Sequence, residues 1–187
     1  MVKLNLKKLK AELRNLLQKK ALKKGRFVLS SGKISNYYLD GRLITLSGQG
    51  AYLAASIILE LTKNANLDAI GGPTLGADPI VGAIAALSFI RRRPIQTFIV
   101  RKEPKKHGRQ RQIEGPRLKR SSRVILVDDV ATTGKALVEA KKALAKMGIK
   151  VKRAIVIVDR QEGAVRNLAR AGIKLEPIFK IKEQGLI

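Results

Sequence analysis

The sequence predicts one α/β domain whose sheet is mainly parallel and carries helices on both faces. Three observations predict it. Short Val/Ile/Leu-rich runs recur from about residue 66 onward, as in strands buried on both faces. Stretches of helical length and periodicity alternate with them, the crossover connections that parallel strands require. The 187 residues suit a single core and are short for two.

In chain order, MVKLNLKKLKAELRNLLQKK places Leu6, Leu9, Leu13, Leu16 and Leu17 at helical intervals among lysines. DAIGG (68–72) reads as a short strand, 77–92 as an apolar helix, and IQTFIV (95–100) as a strand. RVILV (123–127) is the next strand. A helix over 135–147 follows, with positions 136, 137, 140, 143, 144 and 147 on one face and Gly148 closing it. VKRAIVIV (151–158) is a strand, 162–171 a helix closed by Gly172, and IKLEPIF (173–179) the last strand. No internal repeat interrupts the series.

Composition narrows the chemistry. There is no cysteine, so disulfides, thiolate catalysis and Cys-ligated metals are excluded. A single histidine, His107, excludes a His-rich metal site. The N-terminal segment has neither the unbroken apolar core nor the small-residue cleavage site of a signal peptide. The longest apolar stretch elsewhere, 79–90, falls short of the roughly 20 residues a membrane span needs. These features predict a soluble cytoplasmic protein. Lys and Arg number 39 against 14 Asp and Glu, a net charge of +25. Even with every acid paired, cations remain in excess, so anionic partners are expected: a phosphorylated small molecule, nucleic acid, or both.

Ligands in open α/β sheets sit beyond the carboxyl ends of the strands. After the strand at 123–127 the chain reads Asp128, Asp129, Val130, Ala131, Thr132, Thr133, Gly134, Lys135 and Ala136. The Thr/Gly turn opens a helix, where unpaired N–H groups and the helix dipole favour an anion such as a phosphate monoester. The two carboxylates would repel that phosphate, so they must face hydroxyl donors or a metal ion. A ribose 5-phosphate satisfies both halves. A Walker A loop does not fit, because Asp129 stands at its first glycine and Ala136 at its hydroxyl position. A response-regulator acidic pocket lies near the start of its domain, unlike this one.

Other strand ends add to the site. GGPTLGAD (71–78) is a glycine-rich turn suited to close approach of backbone to a second anion, or to a purely structural turn. Residues 101–123 carry ten Lys/Arg and two Glu without apolar periodicity. That length of structureless chain suits a mobile lid, with Arg101, Lys102, Lys105 and His107 on the ligand side. Arg160, after the strand at 151–158, is placed to grip a carboxylate or carbonyl edge, or to make a surface ion pair. Tyr37 and Tyr38, two of only seven aromatic residues, could wall a flat base or pack in the core.

These segments resemble the type I phosphoribosyltransferases, whose signature is an apolar strand, two acids and a Thr/Gly loop, here VILVDDVATTGKA. RKEPKKHG, SGKISNYYLDGR and DRQEG make the chain similar to the orotate branch of that family from about residue 27 to 163. The resemblance implies one domain (1–187), with a small N-terminal hood mainly over 1–45, a core over about 46–180 and a lid over about 101–117. It implies transfer of a phosphoribosyl group from phosphoribosyl pyrophosphate (PRPP) to orotate, with Mg²⁺ bound mainly through PRPP rather than through protein ligands. By position, Asp128 and Asp129 would hold the ribose hydroxyls and Ala131 to Lys135 would wrap the 5-phosphate, with Val130 and Ala136 also among the PRPP-binding residues. Arg101, Lys102, Lys105 and His107 would meet pyrophosphate, with Lys105 and His107 catalytic beside the two acids. Thr132, Arg160, Tyr37 and Tyr38 would meet orotate. A homodimer sharing lid residues is implied as well. The chain departs from some members at Ser30, where Lys can precede Ser-Gly, and at Leu75 and Gly76, where Tyr-Lys can stand. Two other classes stay open: transfer to a different base, and a nucleic-acid-binding regulator on the same fold, which the charge invites.

Overall fold

The computed structural model describes residues 5–28, 34–103, 112–183 and 186. Helix α1 (Leu6–Leu16) starts at Asn5, whose side chain accepts the Lys8 N–H at 3.2 Å. It buries Leu9, Leu13 and Leu16, the one apolar stripe of a lysine-rich helix. A π-helical turn, Leu17–Ala21, leads into β1 (Leu22–Val28), which pairs antiparallel with β2 (Ile34–Leu39) as a separate two-stranded ribbon. Two helices follow, α2 (Arg42–Thr45) and α3 (Gly48–Thr62).

The remaining elements are β3 (Ala69–Pro73), α4 (Asp78–Ile90), β4 (Gln96–Val100), β5 (Ile113–Glu114), β6 (Val124–Ala131), α5 (Lys135–Ala145), β7 (Val151–Asp159), α6 (Ala164–Arg170) and β8 (Lys174–Lys180). The main sheet has the order β5-β4-β3-β6-β7-β8. Five of these strands run parallel, and β5 joins β4 antiparallel at the edge. Two apolar layers sandwich the sheet. On one face Ile70, Ile125, Val127 and Ile157 pack with residues of α1, α3 and α4; on the other Leu126, Ala154 and Val156 pack with α5 and α6. Fully burying a Leu or Ile side chain contributes about 1.5–3 kcal/mol, so these layers dominate the stability of the fold.

Chain direction across the sheet reverses between β3 and β6. From β3 the chain moves outward through β4 and β5, then returns to β6 on β3's other side and continues to β7 and β8. The loops after β3 and β6 therefore diverge, and the crevice between them is where such a sheet binds ligands.

Three readings of the sequence need correction. β6 runs on to Ala131 rather than ending at residue 127, so Asp128 and Asp129 lie within the strand. It is held there by pairing with β7 as far as Ala131 and Asp159. The basic segment after β4 is not structureless throughout: Ile113 and Glu114 pair back onto Val100 and Ile99. Helix α3 was not expected, because its sequence lacks amphipathic contrast. Leu53 to Ile58 are all buried, since α3 packs against both α1 and α4.

Candidate active site

The crevice is built around the acid pair. Asp128 is 7% exposed and Asp129 partly buried. The Asp129 N–H donates to Asp128 Oδ1 at 3.0 Å, and the Val130 N–H to Asp129 Oδ1 at 2.7 Å. Among the described residues no cation forms an ion pair with either carboxylate. Burial, with the neighbouring Asp129 charge adding to it, pushes the Asp128 carboxyl well above its ordinary value. Burial also raises Asp129. The pair is thus held at an energetic cost that no described salt bridge offsets, as expected of groups awaiting hydroxyl donors.

The loop after β3 presses on these acids. A Cβ added at Gly76 would stand 2.3 Å from Asp128 Oδ1 and 2.4 Å from Asp129 Oδ1, so no other residue fits without displacing them. From the joint between β2 and α2, a Cβ at Gly41 would stand 2.7 Å from Asp129 Oδ2. The Oδ1 atom of Asp78, in the first turn of α4, is buried without a hydrogen bond among the described residues, and burial raises its carboxyl.

Beyond the acids, Thr132 is half-buried and Thr133 exposed. Gly134, with φ of 78°, starts α5 in a left-handed conformation that other residues rarely adopt. Among the described residues no side chain caps this helix, so the N–H groups of its first turn stay available to an anion. Thr133 O accepts from Asn167 Nδ2 at 3.0 Å, which ties the loop to α6. Lys135 and Ala136 are exposed at the mouth.

Arg160 follows β7, one strand over, and is anchored by its own N–H donating to Ala131 O at 2.9 Å. The residue is 8% exposed. Its Nε lies 2.9 Å from Glu162 Oε1, yet off hydrogen-bonding geometry, and Nε and Nη2 are both buried without a hydrogen bond among the described residues. Its guanidinium stands 5.0 Å from the centre of the Tyr37 ring. Tyr37 is half-buried and packs on the core, so the structure joins it to Arg160. Tyr38, next along β2, points to the ribbon's other face, with its ring 5.7 Å from that of Phe27.

Arg101 and Lys102 are exposed where the basic segment leaves β4. The Arg101 N–H donates to Gln112 O at 2.8 Å, and Gln112 Nε2 donates to Arg101 O and Lys102 O at 3.1 and 3.3 Å. The base of the segment is therefore a closed hairpin. Lys105, His107 and Ser30 lie outside the described residues. Sequence reasoning missed Asp40 and Arg42: the guanidinium of Arg42 meets the Asp40 carboxylate at 3.0 and 3.1 Å and holds that carboxyl below its usual value. The signal available was the Asp-x-Arg spacing beside the tyrosines.

A family model described as the phosphoribosyl transferase domain matches residues 47–185. The orotate phosphoribosyltransferase of Aquifex aeolicus is 46% identical over 175 residues, covering 92% of this chain and 95% of that protein. Among solved structures, the orotate phosphoribosyltransferase of Mycobacterium tuberculosis superposes with a TM-score of 0.81 at 35% identity, covering 95% of this chain and 99% of that one. The same enzyme in complex with 5-phospho-α-D-ribosyl 1-diphosphate gives 0.77 at 32% identity, over 93% and 97%.

The chain belongs to the orotate phosphoribosyltransferase family. Within an orotate phosphoribosyltransferase, the departure at Leu75 and Gly76 has a local reason. Leu75 is 66% exposed, and the space beside Gly76 is filled by the two aspartates.

Proposed function

We propose that this chain transfers the phosphoribosyl group of PRPP to orotate, giving orotidine 5′-monophosphate and pyrophosphate. The observation that carries the reading is the buried acid pair, without an ion-pair partner among the described residues, beside a helix start that no described side chain caps, with the buried Arg160 guanidinium one strand away. Asp128 and Asp129 accept hydrogen bonds from the two ribose hydroxyls. The amides and hydroxyls from Val130 to Ala136 hold the 5-phosphate. Arg160 offers its Nη2, which has no hydrogen bond among the described residues, to the orotate carboxylate, with Tyr37 beside it, and Thr132 is proposed to meet the base as well.

The chemistry asks little of the protein beyond positioning and electrostatics. As the C1–O bond breaks, positive charge grows on the sugar and negative charge on the departing pyrophosphate. The carboxylate pair lies near the first. Arg101, Lys102, Lys105 and His107 are proposed to serve the second, with His107 as the proton donor and the lid as the element that excludes water. Among the described residues no group of three or more acidic or imidazole side chains could hold a metal ion. A Mg²⁺ ion carried mainly by pyrophosphate oxygens is proposed. When bound, it supplies neutralisation of the leaving group. The working unit is proposed to be a cytoplasmic homodimer with lid residues shared between subunits; among the described residues no helix is long and apolar enough to cross a membrane.

The deciding experiment is a spectrophotometric assay of orotate consumption with PRPP and Mg²⁺, with adenine, guanine and uracil in parallel. Turnover of orotate alone supports the proposal. Turnover of another base in its place would redirect it to a different acceptor, and turnover of none to a binding role. Nucleic-acid binding is a separate reading that the +25 charge invites, tested by a salt-dependent RNA shift.

A further inference from the structure

Arg160 is a long side chain, and what holds it in place has no role in the account so far. A guanidinium that is 8% exposed needs its charge offset, because a buried cation without a partner is costly. Glu162 supplies the offset: its Oε1 stands 2.9 Å from Nε, the one ion pair of Arg160 among the described residues. The contact is off hydrogen-bonding geometry, so it neutralises charge without using up a donor. Nε and Nη2 both lack a hydrogen bond among the described residues. A second support comes from the β1–β2 ribbon, where the Tyr37 ring centre stands 5.0 Å from the guanidinium carbon, within cation–π range.

Both supports are themselves fixed. Glu162 lies in the turn from β7 to α6, next to Gln161, whose backbone takes a left-handed φ of 57°. The Gln161 N–H donates to Asp159 Oδ1 at 2.8 Å. Its side chain donates to Glu183 Oε1 at 3.2 Å and accepts the Lys182 N–H at 3.0 Å, which ties the turn to the chain beyond β8. Tyr37 is held through Ser35, whose hydroxyl donates to Tyr37 O at 2.7 Å and accepts the Tyr37 N–H at 3.3 Å.

We infer that Glu162 and Tyr37 are positioning residues for the base acceptor: together they fix the Arg160 guanidinium while leaving Nη2 open to the acceptor's carboxylate or carbonyl oxygen. An arginine that served only a surface ion pair would be exposed and would spend its donors on its carboxylate. Arg160 is buried and spends neither Nε nor Nη2 among the described residues. A guanidinium carries donors only, so its orientation decides which acceptor edge is satisfied. Tyr37 comes from the ribbon and Glu162 from the sheet's far side of the site, so the arginine is set by two separate parts of the fold.

The inference rests on the proposed transfer to orotate, and the test separates the two. Steady-state kinetics, with PRPP and orotate varied independently, compare wild type, Glu162→Gln, Tyr37→Leu, Tyr37→Phe and Arg160→Gln. Glu162→Gln and Tyr37→Leu are each also combined with Arg160→Gln, and thermal unfolding checks the fold. The Glu162 side chain is 35% exposed, so solvent screening keeps its effect moderate. Glu162→Gln and Tyr37→Leu should each raise KM for orotate about 3- to 10-fold with KM for PRPP within about twofold. Tyr37→Phe, which keeps the ring face, should recover most of the Tyr37→Leu loss. In the Arg160→Gln background neither substitution should add more than about twofold, the mark of residues that act through Arg160. Full additivity in that background, equal losses for both substrates, an unchanged or lowered KM for orotate, or no recovery with phenylalanine would overturn the inference and leave the transfer reaction intact. Absence of orotate turnover by the wild type would overturn the reaction reading, and the inference with it.

Discussion

Replacing Asp128 by Asn should stabilise the protein while abolishing most of its activity. Asp128 and Asp129 are neighbours in β6, with one oxygen of each crowding the same point beside Gly76. Two unit charges about 4 Å apart at an effective dielectric near 20 repel by about 4 kcal/mol, which is a ceiling. Backbone N–H donors at 3.0 and 2.7 Å offset part of it, since a hydrogen bond to a charged group contributes roughly 1.5–3 kcal/mol. Asn retains an oxygen to accept the Asp129 N–H, so the substitution removes the charge without orphaning that donor. A net gain of about 1–2 kcal/mol follows, in the range seen when a strained functional residue is relieved. For a domain of this size that is roughly 3–6 °C in Tm.

The sign of the pH dependence is fixed by the direction of the shift. A carboxyl whose folded-state value is raised binds its proton more readily when folded, so the wild type is penalised at neutral and alkaline pH. That penalty disappears as pH falls through the folded value towards the unfolded one. Thermal unfolding followed by circular dichroism from pH 4 to 8 should therefore show Asp128→Asn ahead of wild type at pH 8 and level with it near pH 4. An Asn variant less stable than wild type at pH 8, or equally stabilised at both ends, would refute the claim that an uncompensated buried charge is stored in the site.

Three further outcomes are expected. Arg160→Gln should raise KM for orotate about 10- to 100-fold, the loss of one buried charge-assisted contact, with KM for PRPP within about threefold; equal effects on both would contradict its placement. Gly76→Ala should cut kcat/KM by about 100-fold or more, because its Cβ would stand 2.3–2.4 Å from both acids, and near-normal kinetics would show that the acids can move freely. Neutralising Lys105 should reduce kcat by orders of magnitude with Tm within about 1 °C, and a large loss of Tm would instead mark it as structural.

Much of this site was legible because its parts have strong local signatures. Paired acids after an apolar run, followed by Thr-Thr-Gly, specify a strand leading into a helix whatever the tertiary context, and the structure differs only in carrying β6 on to Ala131. The position of Arg160 followed from counting strands. Helix α3 was not legible, since burial between two other helices removes the polar face that periodicity needs. The division of labour between Tyr37 and Tyr38 depended on which side of β2 turns inward, a matter of tertiary packing rather than residue type. Gly41 was silent for a related reason, and Gly76 stood out only as part of a glycine-rich turn: their importance lies in what they leave unfilled, and those neighbours come from β6, far along the chain.

The most direct measurement compares binding of ribose 5-phosphate and 2-deoxyribose 5-phosphate by calorimetry, to wild type and to Asp128→Asn and Asp129→Asn. If the carboxylates accept both ribose hydroxyls while the Thr/Gly loop holds the phosphate, wild type should prefer the ribose sugar by about tenfold or more. The preference should shrink in each variant while the deoxy sugar binds much as before. Equal affinity of wild type for the two sugars, or a preference that survives both substitutions, would contradict the account.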